Sequence, residues 1–127
     1  MFKIGKIFEI SCSHRLIDNN LTDEENIEKF GKCFNEPSHG HNYIIEIILE
    51  KKETQNGMIV NFSEIGVIFK KIIEEKFDHK FLNDIMHEIP TVENMAKQIF
   101  IDLKYHLPRL KTVKVWETRD NYAEYTE

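Results

Sequence analysis

Two stretches of the chain alternate between apolar and polar residues with the two-residue period of a half-buried β-strand. The first covers residues 2–14 and the second covers residues 39–52. The apolar parity of the first stretch consists of Phe2, Ile4, Phe8, Ile10 and Cys12. That of the second consists of His41, Tyr43, Ile45, Ile47 and Leu49. Ile44 and Ile48 make the opposite parity of the second strand partly apolar, which indicates a sheet covered on both sides, by helices or by another subunit.

Further strands are predicted after a turn and at the end of the chain. Residues 54–57 read Thr-Gln-Asn-Gly, a turn sequence, and residues 58–62 are predicted to form a third strand in a hairpin with the second. The last strand is predicted from Lys111 to about Thr118. The tail at residues 122–125 is a candidate to extend the sheet or to form its edge.

Apolar residues at helical spacing predict two amphipathic helices. The first runs from Glu64 to Lys76 with Ser63 as its N-cap, and the second follows Thr91 and ends before Pro108. Residues 15–38 have no stable period and are predicted to be a long loop, with a helical turn near residues 25–30. Four antiparallel strands and two helices favour an α+β fold with the helices on one face of the sheet.

Composition and charge narrow the class of protein. The chain has 127 residues, of which 41% are hydrophobic, and its net charge is −5. This size fits one domain over residues 1–127, and the acidic balance argues against nucleic acid or an anionic membrane as partner. Cys12 and Cys33 are the two cysteines, and the apolar runs are shorter than a membrane span. We see no signal peptide, so the sequence predicts a soluble cytoplasmic domain.

Three histidines lie where predicted strands begin or end. His39 and His41 are two residues apart, so in a strand their side chains project to the same face and can share a metal ion. His14 falls on the apolar parity at the end of the first strand, and by itself it would be interpreted as a buried core histidine. It joins the pair if the two strands are neighbours. Three imidazoles with an open position are typical of catalytic Zn²⁺.

Other candidate groups are a thiol and two carboxylates. Cys33 lies in the long loop, and an Asp78-His79 pair could activate its thiol, although a free cysteine and a loop histidine are the simpler interpretation. Glu117 continues the apolar parity of the last strand, and a half-buried carboxylate needs a partner. His87 and His106 are interpreted as surface residues.

Several motifs, in the same order along the chain, resemble the 6-pyruvoyltetrahydropterin synthase family, which includes the bacterial 6-carboxytetrahydropterin synthases. They are Ser11-Cys12-Ser13-His14, Cys33-x5-His39-Gly40-His41-Asn42-Tyr43, Gly57-Met58-Ile59-Val60-Asn61-Phe62, Asp78-His79-x2-Leu82-Asn83, Thr91-x-Glu93-Asn94 and Trp116-Glu117-Thr118. The resemblance implies the tunnelling fold, a four-stranded antiparallel sheet with two helices on one side. It also implies trimers that close into a β-barrel and stack as a homohexamer.

The resemblance implies a role for each candidate residue. The residues implied to bind Zn²⁺ are His14, His39 and His41. Those implied in proton transfer are Cys33 as general base or acid and Asp78 with His79 as its relay. Glu117, with Thr118 beside it, is implied to bind the pterin. The implied substrate is 7,8-dihydroneopterin triphosphate, and the candidates to neutralise its triphosphate are Arg15, Lys32 and Lys80.

Glu36 leaves the reaction open. Glu36 lies three residues before His39, as in the subgroup that cleaves the side chain to 6-hydroxymethyl-7,8-dihydropterin for folate synthesis, while Cys33 resembles the other subgroups. Glu36 as a solvated loop carboxylate is an equal alternative. The sequence favours 6-carboxytetrahydropterin formation on the queuosine route, with the hydroxymethyl and 6-pyruvoyl products as alternatives. A pterin-binding zinc module without catalysis, closed by Cys33 as fourth ligand, is a further alternative.

Overall fold

The computed structural model describes residues 1–127 and contains one five-stranded sheet. The strands are β1 (Phe2–His14), β2 (His39–Lys51), β3 (Lys80–Phe81), β4 (Leu110–Thr118) and β5 (Asn121–Thr126). Their order is β3-β1-β2-β4-β5, and all neighbours are antiparallel except the short β3, which runs parallel to β1. The predicted α+β class is confirmed, and the predicted tail strand forms the sheet edge as β5. Five strands, rather than the predicted four, make up the sheet.

The predicted third strand at residues 58–62 is wrong. Residues 52–61 leave the sheet, and their one strand-like feature is an isolated bridge between Gln55 and Met58 around a tight turn. Asn56 and Gly57 occupy that turn with positive φ angles of 52° and 80°. A hairpin partner needs a free edge of β2, but β1 and β4 already pair with β2 along its two edges. The apolar side chains of Ile59 and Val60 pack against the core instead.

The helices lie close to their predicted positions. Helix α2 (Phe62–Phe69) continues through a π-helical segment, Lys70–Glu74, into the short α3 (Glu75–Phe77), and α4 spans Val92–Lys104. Thr91 caps α4 as predicted, since its side chain accepts a hydrogen bond from the Asn94 backbone. Ser63 is not the N-cap of α2. Asn61 takes that place, and its Oδ1 accepts the Ser63 N–H at 3.1 Å.

The segment predicted as a long loop contains a helix where a helical turn was predicted, near residues 25–30. Helix α1 (Asp23–Phe30) starts with a capping box in which Thr22 and Glu25 each accept the other's backbone N–H. A 3₁₀ turn, Gly31–Phe34, follows and leads the chain back towards β2. The buried Asn26 side chain bonds to the backbone at Asp18 in both directions, which ties α1 to the loop before it. The segment is therefore ordered by local polar contacts.

One face of the sheet carries the core and the other is open. The buried face includes Ile10, Tyr43, Ile45, Ile47 and Val115, and the buried residues of α2 and α4 belong to the same cluster. On the opposite face, Ile7 is 63% exposed and Tyr122 is 54% exposed. The apolar residues on the outer face of β2 predicted a sheet that is covered on both sides, but this chain covers only one side. No helix combines the length and apolarity needed to cross a membrane.

Candidate functional site

The pairing of β1 with β2 places three histidines together at one end of the sheet. The antiparallel register sets His14 opposite His39 and Cys12 opposite His41. Since alternate residues share a face, all three imidazoles project to the core side of the sheet. The Nε2 atoms of His14 and His39 lie 2.9 Å apart. The predicted convergence of these three residues is therefore observed.

A backbone carbonyl fixes the orientation of His14. Its Nδ1 lies 2.8 Å from the carbonyl oxygen of Pro90, and its side chain is fully buried. A carbonyl only accepts, so Nδ1 carries the proton and the lone pair lies on Nε2, which points at the other imidazoles. Metal-binding histidines are typically held in this way by their second nitrogen. Tyr43, with its hydroxyl 3.3 Å from the same Nδ1, packs beside it.

The three imidazoles fit a metal ion. One nitrogen from each lies within 4.8 Å of the others, and the Nε2 of His41 is buried without a hydrogen-bond partner. Burial is the main cause that lowers the pKa of both His14 and His41, which favours the neutral, ligating form. A buried imidazole nitrogen without a partner is costly unless something binds it. A cation between the three rings would satisfy all three lone pairs.

Glu117 faces the same cluster from β4. Its Oε1 lies 3.4 Å from Nε2 of His14 and 3.6 Å from Nε2 of His41. The pairing of β4 with β5 is interrupted between Trp116 and Thr118, so Glu117 sits at an irregularity of the ladder. The carboxylate that the alternation pattern placed on the core face therefore lies beside the histidines. Thr118 instead lines the open face, in a shallow cavity with Ile7 and Trp116, away from the cluster.

The two thiols differ in their surroundings. Cys12 is buried, and its Sγ donates to the carbonyl of Phe77 at 3.1 Å. Burial first, and the charge of Asp78 second, raise the pKa of Cys12 to about 12, so it stays a protonated core residue. Cys33 is only partly buried and lies on the 3₁₀ turn. The pKa of the Tyr43 phenol is raised, first by burial, then by the charge of Glu117, and then by Cys12 and Cys33.

The Asp78-His79 pair lies at the edge of β1 that β3 extends. Asp78 accepts the Ser11 N–H at 2.9 Å and lies 3.0 Å from Nδ1 of His79. The Ser11 hydrogen bond is the main cause that lowers the pKa of Asp78. The His79 side chain is 81% exposed, and its backbone has a positive φ of 59°. No hydrogen bond joins either residue to Cys33, so within one chain the predicted relay is not assembled.

The charged candidates Lys32, Glu36 and Lys80 lie in different surroundings. Glu36 is 79% exposed, and its Oε1 lies 3.5 Å from NH1 of Arg15. Lys80 lines a cleft of about 440 Å³ together with His79. Lys32 is exposed and its ammonium group has no ion-pair partner. Glu36 therefore reaches Arg15 rather than the histidine cluster.

Two contributors to the site were missed in the sequence. The carbonyl of Pro90 orients His14. Every residue has a backbone carbonyl, so the sequence does not show which one will contact a histidine. Asn83 brackets Arg15, since it accepts the Arg15 N–H at 2.9 Å and donates to the Arg15 carbonyl at 2.7 Å. Its position five residues after Asp78, within one of the motifs, was the available signal.

Comparisons with known proteins agree with the geometry. The family model described as 6-pyruvoyl tetrahydropterin synthase matches residues 3–127. The chain is 35% identical to human 6-pyruvoyl tetrahydrobiopterin synthase over 97% of this chain and 90% of the relative. It is 28% identical to 6-carboxy-5,6,7,8-tetrahydropterin synthase of Haemophilus influenzae over the full length of both.

A solved structure has the same fold. The structure of Caenorhabditis elegans 6-pyruvoyl tetrahydropterin synthase superposes with a TM-score of 0.91 at 28% identity, over 99% of this chain and 95% of that one. The sequence match and the structural match both cover nearly every residue, so every helix and strand of the chain lies within the matched region. The chain belongs to the 6-pyruvoyl tetrahydropterin synthase family.

Proposed function

We propose that the protein is a zinc-dependent pterin synthase, one domain over residues 1–127, that acts on 7,8-dihydroneopterin triphosphate. The observation that carries this proposal is the convergence of three imidazoles with the carboxylate of Glu117. His14, His39 and His41 would hold Zn²⁺, which supplies Lewis-acid chemistry that lowers the pKa of side-chain hydroxyls on the substrate. Cys33 is outside the group of three donors, so the site keeps an open position.

Glu117 is the proposed anchor of the pterin ring. Its carboxylate is half buried and accepts hydrogen bonds only, which suits the ring N–H and exocyclic amino group of an aminopyrimidinone. Its distance of 3.4 Å from His14 brings the bound ring next to the histidines. The side chain that carries the reacting carbons would then lie beside the metal ligands. Thr118 stays a weaker proposal, because it lies on the opposite face of β4.

Cys33 is the proposed general base. Its thiol is the more accessible of the two, since Cys12 is buried and its pKa is raised. A base beside the substrate side chain removes a carbon-bound proton and returns it elsewhere, after which triphosphate leaves. Asp78 holds His79 at 3.0 Å, as a carboxylate orients the imidazole of a relay.

We propose that His79 serves a neighbouring subunit. The pair lies at a sheet edge and has no hydrogen bond to Cys33 of its own chain, and the open face of the sheet exposes Ile7 and Tyr122. A homohexamer built from two trimers, with sheets joined into a barrel, would cover that face and bring the pair to another site. Sizing by light scattering tests the hexamer, and Ile7→Glu should dissociate it. A monomeric wild-type protein would contradict it.

Mixing two inactive variants tests the shared site. Cys33→Ala and His79→Ala subunits, unfolded and refolded together, should recover part of the activity because some sites then receive both intact groups. Each variant refolded alone is the control. Recovery no greater than that of the controls would place both groups in one subunit's site.

The product proposed first is 6-carboxytetrahydropterin, formed from the substrate and one water with release of acetaldehyde and triphosphate, as the sequence favours. The name of the Haemophilus influenzae relative supports it. The second candidate is 6-pyruvoyltetrahydropterin, and the higher identity to the human relative favours it. The hydroxymethyl product would require Glu36, which is exposed and paired with Arg15. The cytoplasmic location stays a prediction.

One product assay tests the function. Purified protein loaded with Zn²⁺ is incubated with 7,8-dihydroneopterin triphosphate, and the products are identified by mass spectrometry for wild type, Cys33→Ala and Glu36→Ala. We expect wild type to release triphosphate and a tetrahydropterin, and Cys33→Ala to release neither. Absence of turnover by the wild type, with zinc bound, would support the non-catalytic module. Loss of 6-hydroxymethyldihydropterin in Glu36→Ala alone would support the folate-type reaction.

A further inference from the structure

Arg15 contacts residues 34–36, on the short segment that carries both candidate bases, Cys33 and Glu36. It directly follows His14, and its side chain is 17% exposed. Its Nε donates to the carbonyl of Phe34 at 2.6 Å, and its guanidinium carbon lies 4.2 Å from the centre of the Phe34 ring. Its NH1 lies 3.5 Å from Glu36. One planar side chain thus contacts the residue after Cys33 and the carboxylate of Glu36.

The backbone around Arg15 is itself fixed. Asn83 bonds to the N–H and to the carbonyl of Arg15, and the N–H of Leu16 donates to the carbonyl of Cys33 at 2.8 Å. Two contacts therefore join this segment to the chain just after β1. The backbone hydrogen bond from Leu16 holds Cys33, and the Arg15 side chain holds Phe34 and Glu36. A shift of the turn would have to break contacts that also hold the segment next to His14.

We propose, resting on the function proposed above, that Arg15 is a positioning residue that keeps Cys33 at the site and Glu36 away from it. Both carboxylate and thiol lie on one short segment, three residues apart, so the segment's position decides which of them is near the substrate. With Glu36 paired to Arg15, the partly buried thiol of Cys33 is the candidate base of this segment that has no side-chain partner. Arg15 therefore selects the base and, through it, the reaction.

The same contacts argue against Arg15 as the triphosphate ligand that the sequence offered. A guanidinium stacked on Phe34 and bonded to its carbonyl has little surface left for a phosphate. Lys32 and Lys80 are exposed and remain candidates for that role. The two assignments of Arg15 differ in their kinetic consequence, because a lost phosphate contact weakens substrate binding, whereas a misplaced base slows the chemical step.

A thiol-labelling experiment tests the positioning without any turnover. The alkylation rate of Cys33 by iodoacetamide is measured by peptide mass spectrometry in the full-length zinc-loaded protein, with Cys12 as the buried internal reference. We expect at least a threefold change in Arg15→Gln and a smaller one in Arg15→Lys, which keeps the charge and loses the planar fork. Arg119→Gln is the matched control, since Arg119 is 97% exposed and far along the chain from Cys33. Unchanged Cys33 rates in both Arg15 variants would overturn the proposal.

A kinetic experiment then separates positioning from phosphate binding. With 7,8-dihydroneopterin triphosphate, we expect Arg15→Gln to lower kcat about tenfold or more with KM within a factor of two. A Glu36-dependent product should appear and disappear again in Arg15→Gln combined with Glu36→Gln. A raised KM with unchanged kcat and products would overturn the proposal in favour of phosphate binding. An inactive wild type would instead contradict the proposed function, while the labelling result would still test Arg15.

Discussion

Oε1 of Glu117 lies 3.4 Å from Nε2 of His14, the nitrogen that is unprotonated when Nδ1 donates to the Pro90 carbonyl. The two residues come from strands that are not neighbours, because β2 lies between β1 and β4. Their approach across β2 sets imidazole nitrogens that could bind a cation beside a carboxylate that accepts hydrogen bonds from N–H groups. The substrate proposed above would offer its hydroxyls to a metal held by the histidines and its aminopyrimidinone edge to Glu117.

Replacement of Glu117 tests the pterin anchor. Glu117→Gln keeps the shape but exchanges one acceptor oxygen for a donor, so it should weaken pterin binding by roughly 1.5–3 kcal/mol, which is about 10- to 150-fold in Kd. Fluorescence titration with a pterin measures the affinity. Zinc content should stay at the wild-type level because the histidines remain. Glu124→Gln on β5 is the control. Unchanged pterin affinity in Glu117→Gln would contradict the proposed role of Glu117 as the pterin anchor.

Replacement of Cys33 tests the base. Cys33→Ala should lower kcat by roughly 10²- to 10⁴-fold, the contribution expected of a positioned general acid or base, while zinc and pterin binding persist. Steady-state kinetics with metal analysis measures both effects. Cys12→Ala is the matched control, because Cys12 is buried and donates to Phe77, so its loss should affect stability and leave kcat near wild type. Full activity in Cys33→Ala would refute the assignment.

Asp78 predicts a pH dependence of stability. Its pKa is lowered from 3.8 in the folded chain, mainly by the Ser11 N–H, so folding is favoured when the carboxyl is ionised. This contribution is fully present above about pH 4 and is lost as pH falls through the lower folded value. In Asp78→Asn, which keeps an acceptor for Ser11, the acid loss of unfolding free energy should be shallower. Urea titrations of metal-free protein between pH 5 and pH 2.5 compare the two, and parallel curves would contradict the prediction.

The site was largely predictable from side-chain chemistry. The parity of β1 and β2 places His14, His39 and His41 on one face, and the parity of β4 places Glu117 on the same side. The alternation pattern tells which face a side chain occupies, but it does not give the distance between residues that are far apart in sequence. The exposed position of His79 and the pairing of Glu36 with Arg15 follow from the path of the loops, which has no periodic signal.

The errors in the fold have physical causes. Residues 58–62 have the apolar content of a strand, but strand formation requires a free edge, and β4 takes the edge of β2 that a hairpin would have used. The Thr22-x-x-Glu25 capping box was a readable sign of α1 within the polar segment. The cap of α2 was ambiguous because Asn61 and Ser63 both have capping side chains.

A matched pair of substitutions tests which residue caps α2. Asn61 has an extended backbone, with φ −74° and ψ 132°, and its side chain accepts from Ser63 N, whereas Ser63 is already inside the helix. Asn61→Ala should lower the unfolding free energy by about 1 kcal/mol, within a range of roughly 0.5–2 kcal/mol. Ser63→Ala should change it by less than about 0.5 kcal/mol, because its hydroxyl is exposed and bonds only to Asn61.

Urea unfolding at one fixed protein concentration measures both variants, so that any effect of subunit association is equal. A larger loss in Ser63→Ala than in Asn61→Ala would show that the helix starts two residues later, as the sequence alone suggested. Because Asn61 and Phe62 belong to one of the motifs that resemble the family, the comparison also shows whether that motif serves the helix start rather than the site.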